Sequence, residues 1–341
     1  MTKYFYAIGL HKDGGLNILN RFLNLANEND KFLIDERLKN RITYKNCSYY
    51  SNNIFNLFFI LLNLKKKLKP NDHLIFLNGL PPIFKYKCDI SIIFQNANLF
   101  REFYKINIIK WLFSKDSLRY LNFIIGKKNV DNWYVFSPVA KKMLELKLKK
   151  YFNLKIINFY NNLNLDYSYE KKKKKFDFIY PASLMDHKNH DLLIKCLIKL
   201  ADEKIFPSVL LTLNNKEKIK FNFNYKIKKY NLNLYNYFEE DQNKFVEVYK
   251  KCSGLLYLSK NETIGLPLLE AINYKLFIIA PDLVYAKQFI KPNITFNINS
   301  VNDLCNSIKS SLKSNFEKKE RQQIYFHPNS ITINELIFKI L

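Results

Sequence analysis

The feature that most constrains this chain is an alternation that runs through it twice. Short apolar runs rich in β-branched and aromatic residues are each followed by a longer stretch of helical periodicity. In the first half the strand-like runs are "YFYAIG", "HLIFLNG", "DISIIFQN", "WYVFS" and "KIINFY", with helical stretches at 15–29, 51–69, 106–125 and 138–149. The pattern restarts with "FDFIYPA" and continues through "SVLLTL", "GLLYLS" and "LFIIA". Such alternation builds parallel sheets, because a parallel connection needs a crossover long enough to hold a helix. The expected fold class is α/β, one Rossmann-like unit followed by another, and 341 residues suffice for two such domains. The seam is "DYSYEKKKKK", a polar and charged stretch between two strand signals. It divides the chain into a first domain over 1–166, a linker over 167–175, a second domain over 176–330 and a C-terminal helix over 331–341.

No apolar run approaches the roughly 20 residues that cross a bilayer. The longest, "NIFNLFFILLNL" from Asn53 to Leu64, is broken by asparagines and followed by Lys65, Lys66 and Lys67, the pattern of an amphipathic helix. The opening residues carry no secretory signal pattern and read as a first strand. Five scattered cysteines, Cys47, Cys88, Cys196, Cys252 and Cys305, have neither metal spacing nor a paired framework, which fits a reducing cytoplasm. The net charge is +25, and residues 1–175 hold 32 Lys and Arg against 13 Asp and Glu. A half this basic can face nucleic acid, an anionic membrane surface or phosphorylated substrates. The abundance of Lys, Asn, Ile, Phe and Tyr, typical of an AT-rich genome, accounts for the excess equally well. Nucleic acid is disfavoured as a partner: no binding motif for it is present, and the aromatics fall inside apolar runs.

In open α/β sheets ligands bind beyond the carboxyl ends of the strands, and four such ends carry polar chemistry. After the first strand, "GLHKDGGLNIL" places Gly14 and Gly15 at a helix start, where backbone amides can approach an anion or simply form a tight turn. After "DISIIF" come Gln95 and Asn96, amides able to bind sugar hydroxyls or to cap a turn. After "FDFIYPA" a loop carries Ser183, His187, Lys188, Asn189 and His190. Lys188 there is a compact cation well placed for a diphosphate, whereas the two histidines lack a clear third metal ligand. After "GLLYLS" comes "KNETIGLPLLEA", with Glu262 on a loop, Gly265 at a turn, Pro267 in a first helical turn and Glu270 one turn further. The helix start is an anion site by geometry. The two carboxylates would repel phosphate, so they either accept hydrogen bonds from sugar hydroxyls or serve as cap and solvated helix residues.

"NETIGLPLLEA" resembles the signature of two glutamates separated by seven residues in retaining GT-B glycosyltransferases of family 4 (glycosyl transferases group 1). The resemblance runs in order through the Gly14–Gly15 turn, the "HKN" loop and the two glutamates, and is tightest from Ser259 to Glu270. It implies two Rossmann-like domains facing across a central cleft, and retaining transfer of a sugar from a nucleotide-sugar donor. It further implies that Glu262 approaches the donor sugar and that Glu270 binds the ribose hydroxyls. Thr263, Ile264, Gly265 and Leu266 would meet sugar and diphosphate through their amides, and Lys188 with the Gly14–Gly15 turn would neutralise the diphosphate. Three positions depart from the family pattern. Ser183 stands where an arginine is common, Lys275–Leu276–Phe277 replaces a Gly-x-Pro, and a first-domain histidine has no match, Gln95 and Asn96 occupying that strand end. The expectation is an enzyme using a UDP- or GDP-sugar and a saccharide or lipid-linked acceptor, without metal or other cofactor. Its setting would be bacterial surface polysaccharide or lipopolysaccharide synthesis, in the cytoplasm or at the inner face of the membrane. A catalytically inactive relative acting as a scaffold, or a basic nucleic-acid-binding protein, are the alternatives.

Overall fold

The structure is a computed structural model that describes residues 1–11, 13–95, 115–148, 153–158, 174–239, 242–317, 324–325, 330–333 and 335–336. The chain forms two compact units, Met1–Asn161 together with His327–Leu341, and Asn162–Phe326.

The first unit is built on a parallel sheet of eight strands in the order β14-β7-β6-β5-β4-β1-β2-β3. These are β1 (Lys3–Ala7), β2 (Lys31–Asp35), β3 (Cys47–Tyr50), β4 (His73–Phe76), β5 (Asp89–Phe94), β6 (Asn132–Val135), β7 (Asn153–Asn158) and β14 (Ile331–Thr332). Its helices are α1 (Asp13–Asn24), α2 (Ile54–Lys67), α3 (Lys115–Gly126) and α4 (Pro138–Leu148). The central strands are apolar on both faces because helices cover both. On one face Phe5 stacks on Phe32 at 4.5 Å and meets Phe22 of α1 at 5.7 Å. On the other, Ile60 and Leu64 of α2, Phe123 of α3 and Leu144 of α4 share one core with Tyr4, Phe76 and Trp133. The Asn53 side chain caps α2 by accepting the Asn56 N–H at 2.8 Å, so the "NIFNLFFILLNL" run is a surface helix.

The second unit holds a parallel sheet of six strands in the order β10-β9-β8-β11-β12-β13. They are β8 (Phe176–Tyr180), β9 (Val209–Leu211), β10 (Leu234–Asn236), β11 (Cys252–Leu256), β12 (Phe277–Pro281) and β13 (Ile294–Phe296). Its helices are α5 (His190–Asp202), α6 (Asn215–Lys220), α7 (Phe223–Tyr230), α8 (Gln242–Lys250), α9 (Leu266–Asn273), α10 (Val284–Lys287) and α11 (Val301–Lys313). Leu193, Leu197 and Leu200 of α5 and Leu304 and Ile308 of α11 pack together with Phe178 and Leu256. Where α5 meets α11, the free thiols of Cys196 and Cys305 lie 3.1 Å apart.

Strand order reverses direction once in each sheet, between β1 and β4 in the first and between β8 and β11 in the second. The chain diverges to opposite sides beyond these strand pairs, which opens a crevice at their carboxyl ends.

Several boundaries differ from the sequence expectations. The strand signals missed β2, β3, β10 and β13. Of the helix expected over 106–125, residues 106–114 lie outside the described residues, and α3 begins at Lys115. Residues 167–173 of the expected linker also lie outside them. Lys174 and Lys175 are docked on the second unit: the Lys174 ammonium donates to the Lys250 carbonyl at 3.1 Å and the Lys175 N–H to that of Lys251 at 2.8 Å. The helix expected over 331–341 starts instead with β14, which extends the first sheet beside β7, and helical geometry follows at Ile333, Glu335 and Leu336.

Candidate functional site

The second unit's crevice is lined by the two segments that leave β8 and β11, adjacent strands registered Gly254 against Phe178. After β8 the chain runs through Ser183 and a single 3-10 turn, Asp186–Lys188, then enters α5 through Asn189 in the left-handed region at φ 65°. Asparagine tolerates that conformation better than branched residues do. After β11 the chain passes Ser259–Ile264 and enters α9 through Gly265 at φ 76°. The segments are tied together where the Lys260 N–H donates to the His187 carbonyl at 2.7 Å.

That tie brings side chains 74 residues apart into contact, the Lys188 ammonium donating to the Glu262 carboxylate. His187 Nε2 lies 3.8 Å from the same Glu262 oxygen. Both Lys188 and Glu262 are largely but not wholly buried, at 17% and 19% side-chain exposure. Three tyrosines frame the pair. The Tyr180 hydroxyl donates to the Lys188 carbonyl and that of Tyr285 to the Ser259 carbonyl, while Tyr257 lies beneath Gly265. Burial first, with the Glu262 charge adding to it, pushes Tyr257 and Tyr285 well above the ordinary phenol range, so both stay protonated. The Gln288 side chain donates to the Thr263 carbonyl at 2.9 Å and steadies the turn that carries Thr263 and Ile264.

Neither helix entering the crevice has a side-chain cap: Asn189 and Gly265 make no capping hydrogen bond among the described residues. Their N-terminal amides and dipoles thus remain directed to whatever occupies the crevice. Leu266 opens α9, with Pro267 in its first turn. Glu270, one turn on, is partly buried and accepts the Tyr249 hydroxyl at 2.6 Å. Burial raises its carboxyl above the ordinary value, against the lowering effect of the Tyr249 bond.

Glycine is required at 265. A Cβ there would stand 3.0 Å from Leu268 Cδ1 and 3.3 Å from the Tyr257 hydroxyl, on a backbone L-residues avoid. Gly265→Ala is expected to destabilise the protein by about 1–2 kcal/mol, the usual cost of the left-handed region. Urea denaturation checks this; an unchanged midpoint would mean the turn has another conformation.

The remaining candidates are less tightly gathered. Ser183 supplies no cation; its carbonyl accepts the Met185 N–H at 2.8 Å, and Glu217 holds the neighbouring Leu184 N–H at 2.8 Å. His190 turns away from Glu262 into the core, packed on Tyr180 at 4.9 Å and Phe221 at 5.6 Å. Burial pushes it down to about 4. Among the described residues no three His, Cys, Asp or Glu side chains gather as a metal-ligand group. In the first unit, Gly14 and Gly15 lie inside the first turn of α1; the tight turn is at Gly9, with φ 95°. The Gly9 N–H donates at 3.1 Å to Asp35, which Arg37 also holds, at 2.6 Å. Gln95 donates to the Leu77 carbonyl, and Asn96 lies outside the described residues. Sequence reasoning missed Tyr249, Gln288 and the tyrosine frame. Tyr249, Gln288 and Tyr285 reach the site through contacts between elements distant in the chain, for which spacing carries no signal.

Two parallel sheets with helices, and a crevice at the switch of the second, define the α/β fold of GT-B glycosyltransferases. Residues 161–326 match the family model Glycosyl transferases group 1, so the second unit is a glycosyltransferase domain of that group. Among solved structures the chain is similar to sucrose-phosphate synthase from Thermosynechococcus elongatus, at 16% identity over 92% of this chain and 90% of that one, TM-score 0.64. It is also similar to Anabaena HepE in complex with UDP-glucose, at 12% identity over 92% of this chain and 90% of that one, TM-score 0.67. TarM is a further likeness, at 18% identity over 76% of this chain and 52% of that one, TM-score 0.59. No curated protein matches the chain by sequence.

Proposed function

We propose that the protein is a retaining glycosyltransferase that moves a sugar from a UDP- or GDP-sugar to a saccharide or lipid-linked acceptor in bacterial surface polysaccharide synthesis, on the cytoplasmic side. The observation that carries the reading is the Lys188–Glu262 pair at the β8/β11 switch point, set between two helix N-termini without side-chain caps. A nucleoside diphosphate is the ligand that suits it, because amides, helix dipoles and an ammonium all favour an anion.

The resting pair suggests how the donor enters. Glu262 occupies the Lys188 ammonium as an internal anion, and the donor's diphosphate replaces it there. The carboxylate is then released to accept hydrogen bonds from the sugar. Thr263, Ile264, Gly265 and Leu266 present amides to the diphosphate, Ser183 lines the opposite loop, and Glu270 accepts from the ribose hydroxyls. As the bond from the anomeric carbon to the phosphate oxygen breaks, negative charge grows on the departing diphosphate, and Lys188 with the α9 dipole stabilises it. In the first unit, Gly14 and Gly15 are the candidates for diphosphate contact, and Gln95 and Asn96 for sugar or acceptor contact. Of the named relatives, HepE is described in complex with UDP-glucose, which favours UDP as the nucleotide to try first.

Incubation with UDP- and GDP-sugars after exhaustive chelation tests the reading. Donor consumption should persist without divalent cations, and donor at about 100 times its Kd should add roughly 2.7 kcal/mol of stability. Absence of both stabilisation and turnover with every nucleotide sugar tried would refute it. Abolition by chelator with rescue by magnesium or manganese would overturn the leaving-group chemistry and turn attention to Asp186 and His187. Binding without turnover would instead favour an inactive relative, a reading to which the lack of a cation at Ser183 gives some weight.

A further inference from the structure

The first unit has a surface that the donor chemistry does not use. On α2, Ile54, Phe55, Phe58 and Phe59 point outward, Phe55 with 75% and Phe59 with 60% of its surface exposed. These residues are opposite Ile60 and Leu64, which face the core. On α3 the outward residues are Leu118, Leu121, Ile124 and Ile125, with Leu118 56% and Leu121 55% exposed.

The two helices share one face of the sheet and are joined by the loop after β4. Phe84 of that loop meets Phe58 of α2 at 5.5 Å. At the far end of α3, Gly126 sits so close to Pro82 that a Cβ would come within 2.7 Å of its carbonyl. Just beyond, the Asn129 side chain donates to the carbonyls of Pro82 and Ile83 at 3.0 and 3.1 Å. The exposed apolar residues of α2 and α3 thus lie on helices of one core that the 82–84 segment bridges, and they make this face of the first unit more apolar than the scattered hydrophobics normal on a surface.

Basic side chains rim it. Lys65, Lys66, Lys67 and Lys69 are exposed at the end of α2, Lys85 and Lys87 on the loop, and Arg119 and Lys128 beside α3. From Ser51 to Cys88 the sole carboxylate is Asp72, and it is engaged by the N–H groups of Thr2 and Lys69.

From this arrangement we infer that the α2–α3 face docks on the surface of an anionic phospholipid bilayer, the aromatic and aliphatic side chains entering the interface and the lysines meeting lipid headgroups. An apolar centre with a basic rim is what an interfacial amphipathic helix requires. A second copy of this chain fits less well, because its own basic rim would be brought against this one on a protein of net charge +25. Nucleic acid would satisfy the lysines and could stack on the phenylalanines of α2, but it leaves Ile54, Leu118, Leu121, Ile124 and Ile125 without a partner, since aliphatic side chains offer bases no stacking face. The inference goes beyond the transferase reading and stands or falls without it, since docking is read by binding alone.

The test is co-sedimentation of the full-length protein with vesicles of phosphatidylcholine alone or mixed with phosphatidylglycerol, at low and high salt. Binding should require the anionic lipid and fall at least about tenfold between low and high salt, as exposed charges are screened. Phe55→Ser with Phe59→Ser, and separately Lys66→Glu with Lys85→Glu and Lys128→Glu, should each weaken it about tenfold or more. Ile219→Ser, an exposed apolar position in the second unit, should leave it unchanged. Melting curves would confirm that the surface variants fold. Absence of binding to anionic vesicles overturns the inference, as does binding that both sets of variants retain. A concentration-dependent dimer that the phenylalanine variants abolish, without vesicle binding, would assign the face to self-association and overturn it equally.

Discussion

Lys188→Ala should lower kcat by on the order of 10²–10³-fold while leaving donor affinity within about threefold of the parent. The asymmetry follows from the resting site, in which the Lys188 ammonium already donates to Glu262. Donor binding exchanges one anion for another at that ammonium, so the gain in the ground state is small. In the transition state the diphosphate carries more charge than the carboxylate it displaced, and there the lysine matters most. Removing it also leaves the Glu262 carboxylate partly buried, with the His187 imidazole 3.8 Å away. A stability loss on the order of 1 kcal/mol should accompany the kinetic loss, less than for a fully buried pair because both side chains keep some solvent. The two effects separate in a double variant. Lys188→Ala with Glu262→Gln should recover the stability without recovering turnover. Saturation kinetics with an unchanged kcat and a raised KM would show that the lysine serves binding alone.

The second large effect is expected at Glu270. Glu270→Ala should weaken nucleoside diphosphate binding about tenfold or more, the loss of a charged hydrogen-bond acceptor, and calorimetric titration would measure it. Glu270→Gln keeps an acceptor for the Tyr249 hydroxyl and should weaken binding less. Its stability should carry a signature in pH. Burial holds the Glu270 pKa in the folded protein above its ordinary value of 4.5. Across the window from that value up to the raised one, the folded protein binds more protons than the unfolded chain. The carboxylate therefore costs stability once pH rises through the folded value. Glu270→Gln should match or exceed the parent in stability at neutral pH and lose that advantage below pH 4.5, where the parent is protonated in both states. A variant less stable than the parent at every pH would make Glu270 a structural residue.

The central strands were legible in the sequence because each is buried on both faces and therefore reads as an unbroken apolar run, as in "FIYPA" and "GLLYLS". The strands that escaped notice lie mostly at sheet edges. Tyr49 and Tyr50 of β3, Tyr235 of β10 and Thr295 of β13 keep solvent on one side, and runs of three or four such residues do not stand out from turns. The candidate site was legible where function demands particular backbone: Gly265 needs positive φ, and Lys188 and Glu262 lie on the segments that follow two strand-like runs. Their direct pairing was not, because it depends on β8 and β11 lying side by side, a fact of strand order rather than of local sequence. The Tyr249 contact to Glu270 belongs to the same class, joining α8 to α9 across 21 residues.

The return of the chain to the first sheet has a consequence for how the protein is made. Strand β14 is synthesised after the whole second unit, yet it pairs with β7, and Ile333 and Leu336 beyond it are buried. On the ribosome the second unit emerges intact while the first still lacks its final strand and leaves the β7 edge open. An open strand edge is a template for wrong pairing, and domains fold as they emerge. The β7 edge thus lacks its partner throughout the synthesis of the second unit, and misassembly is a hazard until β14 follows.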